Sequence, residues 1–527
     1  MNTSNELFSL IKSMTKQEKR YFKLYATFYT NDSDNRYTRL FDVMDKLDVY
    51  DQEVIERGVE PFLAKRYLAK SRHQLTRMIL NSLAAYDAHN STRAELREAL
   101  AHIELLFNRG LYSHCRKAIN KARTIALRYE RFVTLIEILE WEYRLTLRTM
   151  PSAFKKRIAS QQDEFLSTIK NLQDLVVGQD TMAQITTIIH NRSKSNKSHE
   201  FAKLKEHIEE YQRKGISDES TASARILYFQ TLGLYYWIVG DHSEARKNYR
   251  TTIQLWDEHP ALIRDRSSSY RRDLRNYLTC CFSLNDFADF PQILEKIKSV
   301  PTVSMEDAMS ALKNVYSLEL AYYLNIGELE GALTVVGEIE ANLKTIAVSF
   351  DPYTVVSLLV NCAMTTFLSG RFRRAFGHIV EIENRTQSDL RMDLQKFTLT
   401  FSLILHYELE NLDTLEAQLR RAQKFITANE VDYAFGNCVV DSMKRLINSY
   451  VGGEKEIFED MWGQLLVLYH NNQQALPTGL TELLFWVESK LRGENIAELY
   501  SKRMRELRSS NSGDLFSEPA FVNEKKS

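Results

Sequence analysis

A spacing pattern centred on four glycines constrains the fold of this 527-residue chain more than any other sequence feature. Apolar or small residues stand 7, 4 and 3 positions before each glycine and 5, 9 and 12 positions after it. Around Gly240 these positions hold Gly233, Tyr236, Trp237, Ala245, Tyr249 and Thr252. The same offsets recur around Gly110, Gly327 and Gly370. The pattern indicates one structural unit that is repeated along the chain.

Three further positions keep this spacing around a different residue or a neighbouring glycine. They are Asn285, Glu410 and Gly453. From Gly240 onwards, successive origins are 40 to 45 residues apart, which gives a period of about 43 residues. Repetition at such a period is typical of stacked supersecondary units, in which each unit buries its apolar face against its neighbours.

Each repeated block has the pattern of two amphipathic helices joined by a tight turn. Offsets of 3, 4 and 7 lie on one face of a helix with 3.6 residues per turn. Glycine, or asparagine at Asn285, takes the left-handed conformation that ends a helix. A small residue five positions later lets the returning helix approach closely. We therefore predict antiparallel helix pairs with Ala245, Ala332 and Ala375 buried between their helices.

The block around Gly240 resembles the signature of tetratricopeptide repeats. The residues that carry the resemblance are Phe229, Leu232, Gly233, Tyr236, Gly240, Ala245 and Tyr249. The other blocks are degenerate, and the period exceeds the usual length of about 34 residues. With its degenerate blocks and long period, the chain resembles divergent helical solenoid proteins of an uncharacterised bacterial type. The resemblance implies an all-α fold, an α-solenoid of about nine antiparallel helix pairs with a small N-terminal helical domain.

The solenoid is expected to cover residues 91–507. Two helix pairs should fit between about 130 and 225, although the offsets fail around Pro151 and Asn196. Residues 1–90 are predicted to form the N-terminal helical domain, because they lack the repeat spacing but keep helical signals.

Two of these helical signals are specific. Thr15 with Glu18 has the spacing of a capping box, which opens a helix. A long helix is expected from Pro61 to about Tyr86.

The last residues, 508–527, are predicted to be a disordered tail because most of them are small or polar. Two apolar pairs interrupt this tail, Leu515-Phe516 and Phe521-Val522. The alternative is that one of these pairs docks on the solenoid as an occluding segment.

Composition narrows the function classes. Lys+Arg and Asp+Glu both number 69, so a general attraction to nucleic acid or to anionic membranes is not indicated. The five cysteines are dispersed without a CxxC pair, which is typical of reduced thiols in the cytoplasm. No secretory signal is visible, and no apolar run approaches the roughly 18 residues of a membrane helix. We expect a cytoplasmic protein without membrane contact.

No motif predicts catalysis. The chain has no GxSxG, GxxxxGK[ST], GxGxxG or HExxH sequence. The 12 histidines show no metal-ligand spacing, since His199 and His207 are eight residues apart and would not share one helical turn. We therefore predict a non-enzymatic protein without catalytic residues, metal or cofactor.

Aromatic residues often stand three positions before the repeat origin, as at Trp237, Phe282 and Phe367. In tetratricopeptide repeats the matching position often lines the concave groove, so the resemblance implies that these three side chains contact a partner. Aromatic side chains also supply contact area at low entropic cost. The alternative is that the aromatic residues belong to an ordinary core stripe.

Two arginines, Arg272 and Arg275, precede Phe282 on the same predicted helix. Their guanidinium groups would hold a carboxylate or a phosphate through forked hydrogen bonds. The alternative is a solvated face, or pairing within the chain to Asp265 and Asp273.

A basic stripe marks the predicted long helix of the N-terminal domain. Arg66, Lys70, His73 and Arg77 are spaced by 4, 3 and 4 residues, and no acidic residue lies between positions 61 and 80. Such a face on a small helical domain would contact DNA or RNA phosphates. The alternative is that it only faces water.

These features lead to one leading function and one alternative. The leading interpretation is a non-enzymatic scaffold or adaptor that binds a peptide or protein partner on the concave face of the solenoid. The alternative is a regulatory protein whose N-terminal domain contacts nucleic acid while the solenoid senses a ligand. The sequence makes no prediction of the oligomeric state.

Overall fold

The structure is a computed structural model of the chain. It describes residues 3–29, 36–47, 49–87, 91–149, 154–190, 197–349, 351–385, 392–428, 434–449, 453–471, 476–509 and 515–516. All regular secondary structure in these ranges is α-helical, which confirms the predicted all-α class. The chain divides into two compact units, Met1–Tyr270 and Arg271–Ser527. Each unit is described by itself.

The helices of the first unit, within its described ranges, are α1 (Thr3–Ser13), α2 (Lys16–Tyr29), α3 (Arg36–Lys46), α4 (Gln52–Val59), α5 (Lys65–Asp87), α6 (Thr92–Asn108), α7 (Tyr112–Arg128), α8 (Phe132–Thr149), α9 (Phe154–His190), α10 (Lys197–Lys214), α11 (Ala222–Val239), α12 (His242–Glu258) and α13 (Pro260–Asp265). The division between the units falls within α14 (Ser267–Ser283).

The helices of the second unit, again within the described ranges, are α15 (Phe290–Ser299), α16 (Met305–Ile326), α17 (Leu329–Ser349), α18 (Pro352–Leu368), α19 (Phe372–Arg385), α20 (Met392–Glu408), α21 (Leu412–Ala428), α22 (Ala434–Ile447), α23 (Glu454–Asn471), α24 (Leu480–Arg492) and α25 (Ile496–Ser509).

Helices α1 to α5 share a core of their own, in which Leu7, Phe22, Phe41, Leu75 and Ile79 are almost completely buried. These residues recur at helical spacing on α1, α2, α3 and α5, so each helix buries one apolar face. Burying a leucine or phenylalanine side chain stabilises a fold by about 1.5–3 kcal/mol. The first five helices therefore have their own hydrophobic cluster.

The predicted start of α2 is confirmed, and the predicted start of α5 shifts. The Thr15 hydroxyl accepts the Glu18 amide hydrogen bond at 3.2 Å, and the Glu18 carboxylate accepts from the Thr15 amide at 2.6 Å. This is the reciprocal geometry of a capping box. The long helix begins at Lys65, after Pro61, because Phe62 and Leu63 first donate hydrogen bonds to the Val59 carbonyl and close α4.

All seven origins of the repeat pattern lie between consecutive helices. The connected helices are α6 and α7 at Gly110, α11 and α12 at Gly240, α14 and α15 at Asn285, α16 and α17 at Gly327, α18 and α19 at Gly370, α20 and α21 at Glu410, and α22 and α23 at Gly453. At Gly240 the backbone has a φ of 87°, and its amide and the next amide donate back to Trp237 and Tyr236. Asn285 and Glu410 take the same left-handed region with φ values of 50° and 58°.

The small residues of the pattern allow the paired helices to approach. Ala245, Ala332 and Ala375 are completely buried, as predicted. Gly233 is also required for close approach, since a Cβ atom at this position would lie 3.0 Å from the Tyr249 ring. The repeated positions therefore mark helix-to-helix contacts.

Between about 130 and 225 the described residues form three helices, α8, α9 and α10, and not the two predicted pairs. Helix α9 runs for 37 residues and packs against both α8 and α11. Gly178 lies within α9 and not in a turn. It packs against Leu227 of α11, and a Cβ atom at this position would collide with that side chain. Pro151 and Asn196 lie outside the described residues.

A left-handed residue without a glycine signal also stands in this region. Glu130 has a φ of 49° and lies between α7 and α8. Its carboxylate accepts hydrogen bonds from the Ala222 and Ser223 amides at 2.9 and 2.7 Å, which satisfies the first amides of α11. Glu130 thus ties the start of α8 to the start of α11.

Helices α24 and α25 of the second unit depart from the neighbour-by-neighbour order of the hairpins. Helix α25 packs against α16 and α18, and α24 packs against α18 as well as α23. The Tyr500 hydroxyl donates to the Leu324 carbonyl at 3.1 Å, and the Trp486 indole donates to Glu408 at 2.7 Å. The last two helices therefore cover one side of the earlier hairpins.

Phe516 is an exception within the predicted disordered tail. Its side chain is 1% exposed, and its ring lies 5.0 Å from that of Phe485, 5.3 Å from Tyr469 and 5.8 Å from Trp462. Leu515 is half-buried beside the same core. The docking alternative therefore describes Leu515-Phe516, whereas Phe521-Val522 lie outside the described residues.

Candidate partner-binding surfaces

The predicted groove residue Phe367 lies inside the core of the second unit. Its side chain has no exposed surface, and its ring packs against Phe372 at 5.5 Å and Phe401 at 5.2 Å. These neighbours belong to α19 and α20, and α18 also packs against α24 and α25, a contact that sequence spacing did not reveal. Phe367 therefore offers no surface to a partner, and the core alternative describes this residue.

Phe282 belongs to an aromatic cluster of the same unit. It is half-buried, with its ring 5.1 Å from Phe290 and 5.5 Å from Phe287. Phe290 in turn stacks on Tyr322 with ring centroids 4.6 Å apart. Such edge-to-face and stacked pairs are typical of cores. Most of the surface of Phe282 is thus used within the chain.

The two predicted arginines have partners within α14 or close to it. Arg272 is exposed and forms an ion pair with Asp273 at 3.5 Å, and Arg275 donates to Asn314 at 3.4 Å. A third arginine, Arg271, is buried and donates to the Pro301 carbonyl at 2.7 Å and to Asp307. The predicted pairing within the chain is therefore observed between Arg272 and Asp273. Arg271 holds the segment that leads into α16.

Trp237 is half-buried near the end of α11 in the first unit. Its indole N–H is buried, and no residue in the described ranges accepts a hydrogen bond from it. Because Trp237 lies in the first unit and the other four predicted groove residues lie in the second, the structure describes no single site that contains all five.

The predicted basic stripe on α5 is exposed along its whole length. Arg66, Lys70, His73 and Arg77 all face solvent. Among the residues that the structure describes, none pairs with Arg66, Lys70 or Arg77 through an acidic group. The geometry therefore leaves these three cations free to meet an anionic partner. His73 and Arg77 also line a groove between α5, α1 and α4.

An apolar strip on α8 is a further exposed surface, and the glycine spacing pattern does not predict it. Val133, Tyr143 and Leu147 are 69%, 41% and 45% exposed, and Ile136 is half-buried. With Glu140 these residues occupy positions 133, 136, 140, 143 and 147, which is the alternating 3 and 4 spacing of a coiled-coil seam. The neighbouring helix α9 also has exposed apolar residues, Leu166, Val176 and Val177.

A sequence signal for the α8 strip existed. The 3 and 4 spacing is visible in the sequence, but this region turns at Glu130 and not at a glycine, so the glycine pattern does not extend to it. Exposure could not be inferred in the same way, because an apolar helical stripe more often faces a core. Only the packing of α8 against α7 and α9 identifies which side remains open.

One cluster of titratable groups has the composition of a hydrolase triad. His378 lies 3.1 Å from Glu340, which Arg374 holds with two hydrogen bonds, and Cys362 is close enough to be affected by their charges. Burial raises the pKa of the Cys362 thiol to about 12 and lowers the pKa of His378. The thiol has no exposed surface. The Cys362 thiol is therefore protonated and inaccessible to solvent, and it does not have the properties of a nucleophile.

The described part of the chain contains no group of three or more His, Cys, Asp or Glu side chains placed to hold a metal ion. None of the helices with described residues has the length and apolar character needed to cross a membrane. No family model, curated protein or solved structure matches the chain.

Proposed function

We propose that this protein is a non-enzymatic scaffold that binds a helical segment of a partner protein on its repeat region. The observation that carries the proposal is the exposed strip of Val133, Ile136, Tyr143 and Leu147 on α8. Contiguous exposed apolar surface on a folded protein commonly marks an interaction site. Its contact area is available without any rearrangement of the core.

The spacing of the strip favours a helical partner. Apolar residues at alternating intervals of 3 and 4 residues form a seam that matches the same seam on a second helix. The polar member of the strip, Glu140, occupies one of the seam positions itself and forms an ion pair with Arg144 at 2.5 Å. We therefore expect a partner segment with leucine-like residues at heptad spacing.

The repeated hairpins also favour a scaffold function, because packed neighbouring helices would hold α8 in place. We propose that they are long-period relatives of tetratricopeptide repeats arranged as an α-solenoid, as the seven shared turn positions suggest. We also propose a cytoplasmic location. All five cysteines are free and buried, which suits a reducing compartment.

The proposal is tested by affinity capture with the full-length chain. A double change, Val133→Glu with Leu147→Glu, places two charges on the seam without touching the core. The matched control is Val467→Glu on α23, which adds a charge at a residue that is 57% exposed. We expect the α8 variant to lose a partner that the parent and the control both retain. Retention of the same partners by the α8 variant would exclude this surface.

A second candidate function is contact with nucleic acid through α5. The observation in its favour is the exposed row of Arg66, Lys70 and Arg77, for which the described residues supply no acidic partner. Each phosphate contact releases condensed counterions, so binding of this kind weakens steeply with salt.

This candidate is tested by filter binding of mixed DNA and RNA over a salt series. Replacing Arg66, Lys70 and Arg77 by glutamate leaves core residues Leu68, Leu75 and Ile79 unchanged, so the fold should persist. We expect no binding by the parent at about 0.15 M salt, where weak surface attraction is screened. Tight binding by the parent that the triple variant loses would rank this function first.

A further inference from the structure

A groove in the first five helices has the dimensions of a small-molecule site. It lies between α1, α4 and α5 and has a volume of about 680 Å³. Small-molecule sites typically measure about 300–1,000 Å³ and are mostly apolar with a few polar groups. Leu7, Leu10, Leu68 and Leu80 supply the apolar lining, and Leu80 is about half exposed at one end.

The groove follows α5 over a considerable length. The residues of α5 that line it extend from Lys65 to Leu80, which corresponds to about 22 Å of helix at a rise of 1.5 Å per residue. Leu75 and Ile79 point to the core, while Arg66 and Lys70 face solvent. The core side of α5 is therefore separate from the groove, whereas the basic stripe meets the groove at His73 and Arg77.

The groove carries a positive charge excess. Lys65, Arg72, His73 and Arg77 line it, and Arg72 is more than nine-tenths buried. The structure places no hydrogen-bond or ion-pair partner from its described ranges on His73 or Arg77. A buried guanidinium beside an apolar surface is a strong site for a carboxylate or phosphate, because such hydrogen bonds are charge-assisted.

Two acidic residues also line the groove, and one of them is already neutralised. Lys65 forms an ion pair with Glu56 at 2.6 Å. Hydrogen bonds from Lys65 and then Gln52 lower the pKa of Glu56, so this carboxylate stays ionised and engaged. Glu6 on α1 is the other acid. Counted over the whole lining, the three cations Lys65, Arg72 and Arg77 outnumber the two acids Glu6 and Glu56.

We propose that this groove binds a small amphipathic organic anion. Its apolar body lies along Leu7, Leu68 and Leu80, and its carboxylate or phosphate is held by Arg77, with the positive charge of Arg72 in the wall of the groove nearby. The site is separate from the α8 strip, so it goes beyond scaffolding and does not depend on it.

The experiment is isothermal titration of the full-length chain with four probes. Octanoate and octyl phosphate carry both an apolar body and an anion. Octanol lacks the anion, and inorganic phosphate lacks the apolar body. We expect binding of one or both amphipathic anions, at least about tenfold tighter than octanol or phosphate, since a charge-assisted hydrogen bond contributes about 1.5–3 kcal/mol. The stronger of the two anions identifies the head group.

Two variants and one control locate the site. Arg77→Gln removes a cation from the groove, and Leu80→Gln removes an apolar contact. Both residues are exposed enough for the fold to persist, which circular dichroism would check. Arg66→Gln is the control, because it removes an exposed cation from the same helix outside the groove.

We expect Arg77→Gln and Leu80→Gln each to weaken binding of the amphipathic anion by about tenfold, the loss of roughly 1.4 kcal/mol. Arg66→Gln should leave the affinity unchanged. Equal binding of octanol and octanoate, absence of binding by both anions, or an equal effect of Arg66→Gln would each overturn the proposal.

Discussion

Helices α8 and α18 have similar lengths, of 18 and 17 residues, but α8 carries five charged residues and α18 carries none, and the two helices present different surfaces. On α18, residues on nearly every side are buried, including Val355, Leu359 and Phe367. On α8, one side packs into a core through Leu135 and Ile138, and another side leaves Val133 and Leu147 exposed. Helix α18 packs against α16, α17 and α19 and also against α24 and α25, whereas α8 packs against α6, α7 and α9.

This contrast teaches that a repeat pattern predicts hairpins but not their surroundings. The spacing around Gly370 and the spacing around Gly240 are set by contacts between neighbouring helices. What covers the outer side of a hairpin is decided by helices far away in sequence. An apolar helix can therefore be buried on nearly every side in one unit, while in the other unit an apolar stripe on a helix stays exposed.

The largest expected effect on stability is at Gly479, the residue that precedes α24. Gly479 has a φ of 90°, and a Cβ atom there would collide with the Phe401 ring. Gly479→Ala should destabilise the second unit by about 2–5 kcal/mol through overpacking and backbone strain. Scanning calorimetry of the full chain measures the loss.

The matched control for this change is Gly493→Ala. Gly493 also has a positive φ, of 66°, but no neighbouring atom lies within 4 Å of the added Cβ. It should cost only the backbone strain of about 1–2 kcal/mol. Equal effects of the two changes would mean that α24 does not pack closely on α20.

A somewhat smaller effect is expected at Phe516. Removing a buried phenylalanine ring commonly costs about 3–5 kcal/mol, but the short segment around Phe516 can relax. We expect Phe516→Ala to destabilise the second unit by about 2–3 kcal/mol. Deletion of residues 510–527 should cause a similar loss, measured as a fall in melting temperature. An unchanged melting temperature would show that the tail does not dock.

The hairpins themselves should respond alike in both units. Ala245 and Ala332 are both fully buried between paired helices. Replacing either by phenylalanine should overpack the site and destabilise the fold by about 1–3 kcal/mol. Denaturant titration would measure both variants. A large loss at Ala332 with none at Ala245 would contradict a common hairpin geometry.

The smallest effect is a dependence of stability on pH in the second unit. Burial lowers the pKa of His378 and of His406. When the pH falls below about 6.5, the unfolded chain binds protons that the folded chain binds less readily, so the free energy of unfolding decreases.

We therefore expect a lower melting temperature at pH 5 than at pH 7. Replacing both histidines by glutamine should reduce this difference. A difference of the same size in the variant would show that other groups cause it.

Much of the fold could be predicted from the sequence because local spacing determines it. The turns at Gly240, Gly327 and Gly370, the buried alanines and the Thr15 capping box all depend on residues within one hairpin or one helix start. The turn at Glu130 was missed because the left-handed conformation there is supported by hydrogen bonds to α11, far along the chain.

The candidate sites could be predicted only in part. The basic stripe on α5 was predicted correctly as an exposed face, since its spacing keeps it away from Leu75 and Ile79. The groove beside it requires α1 and α4, whose positions are set by tertiary packing. A stronger signal was overlooked in the run Leu483–Val487 of α24, where five consecutive apolar residues indicate a helix buried on several sides.

Hydroxyl-radical footprinting of the unmodified chain tests the central claim, that α8 is open while α18 is covered by the chain's own last helices. Oxidation of each aromatic side chain is normalised to its rate in the denatured chain. The account predicts that Tyr143 on α8 keeps a substantial fraction of its denatured rate. Phe367, Trp486 and Phe516 should be strongly protected. Protection of Tyr143, or fast oxidation of Phe367 and Trp486, would contradict the account.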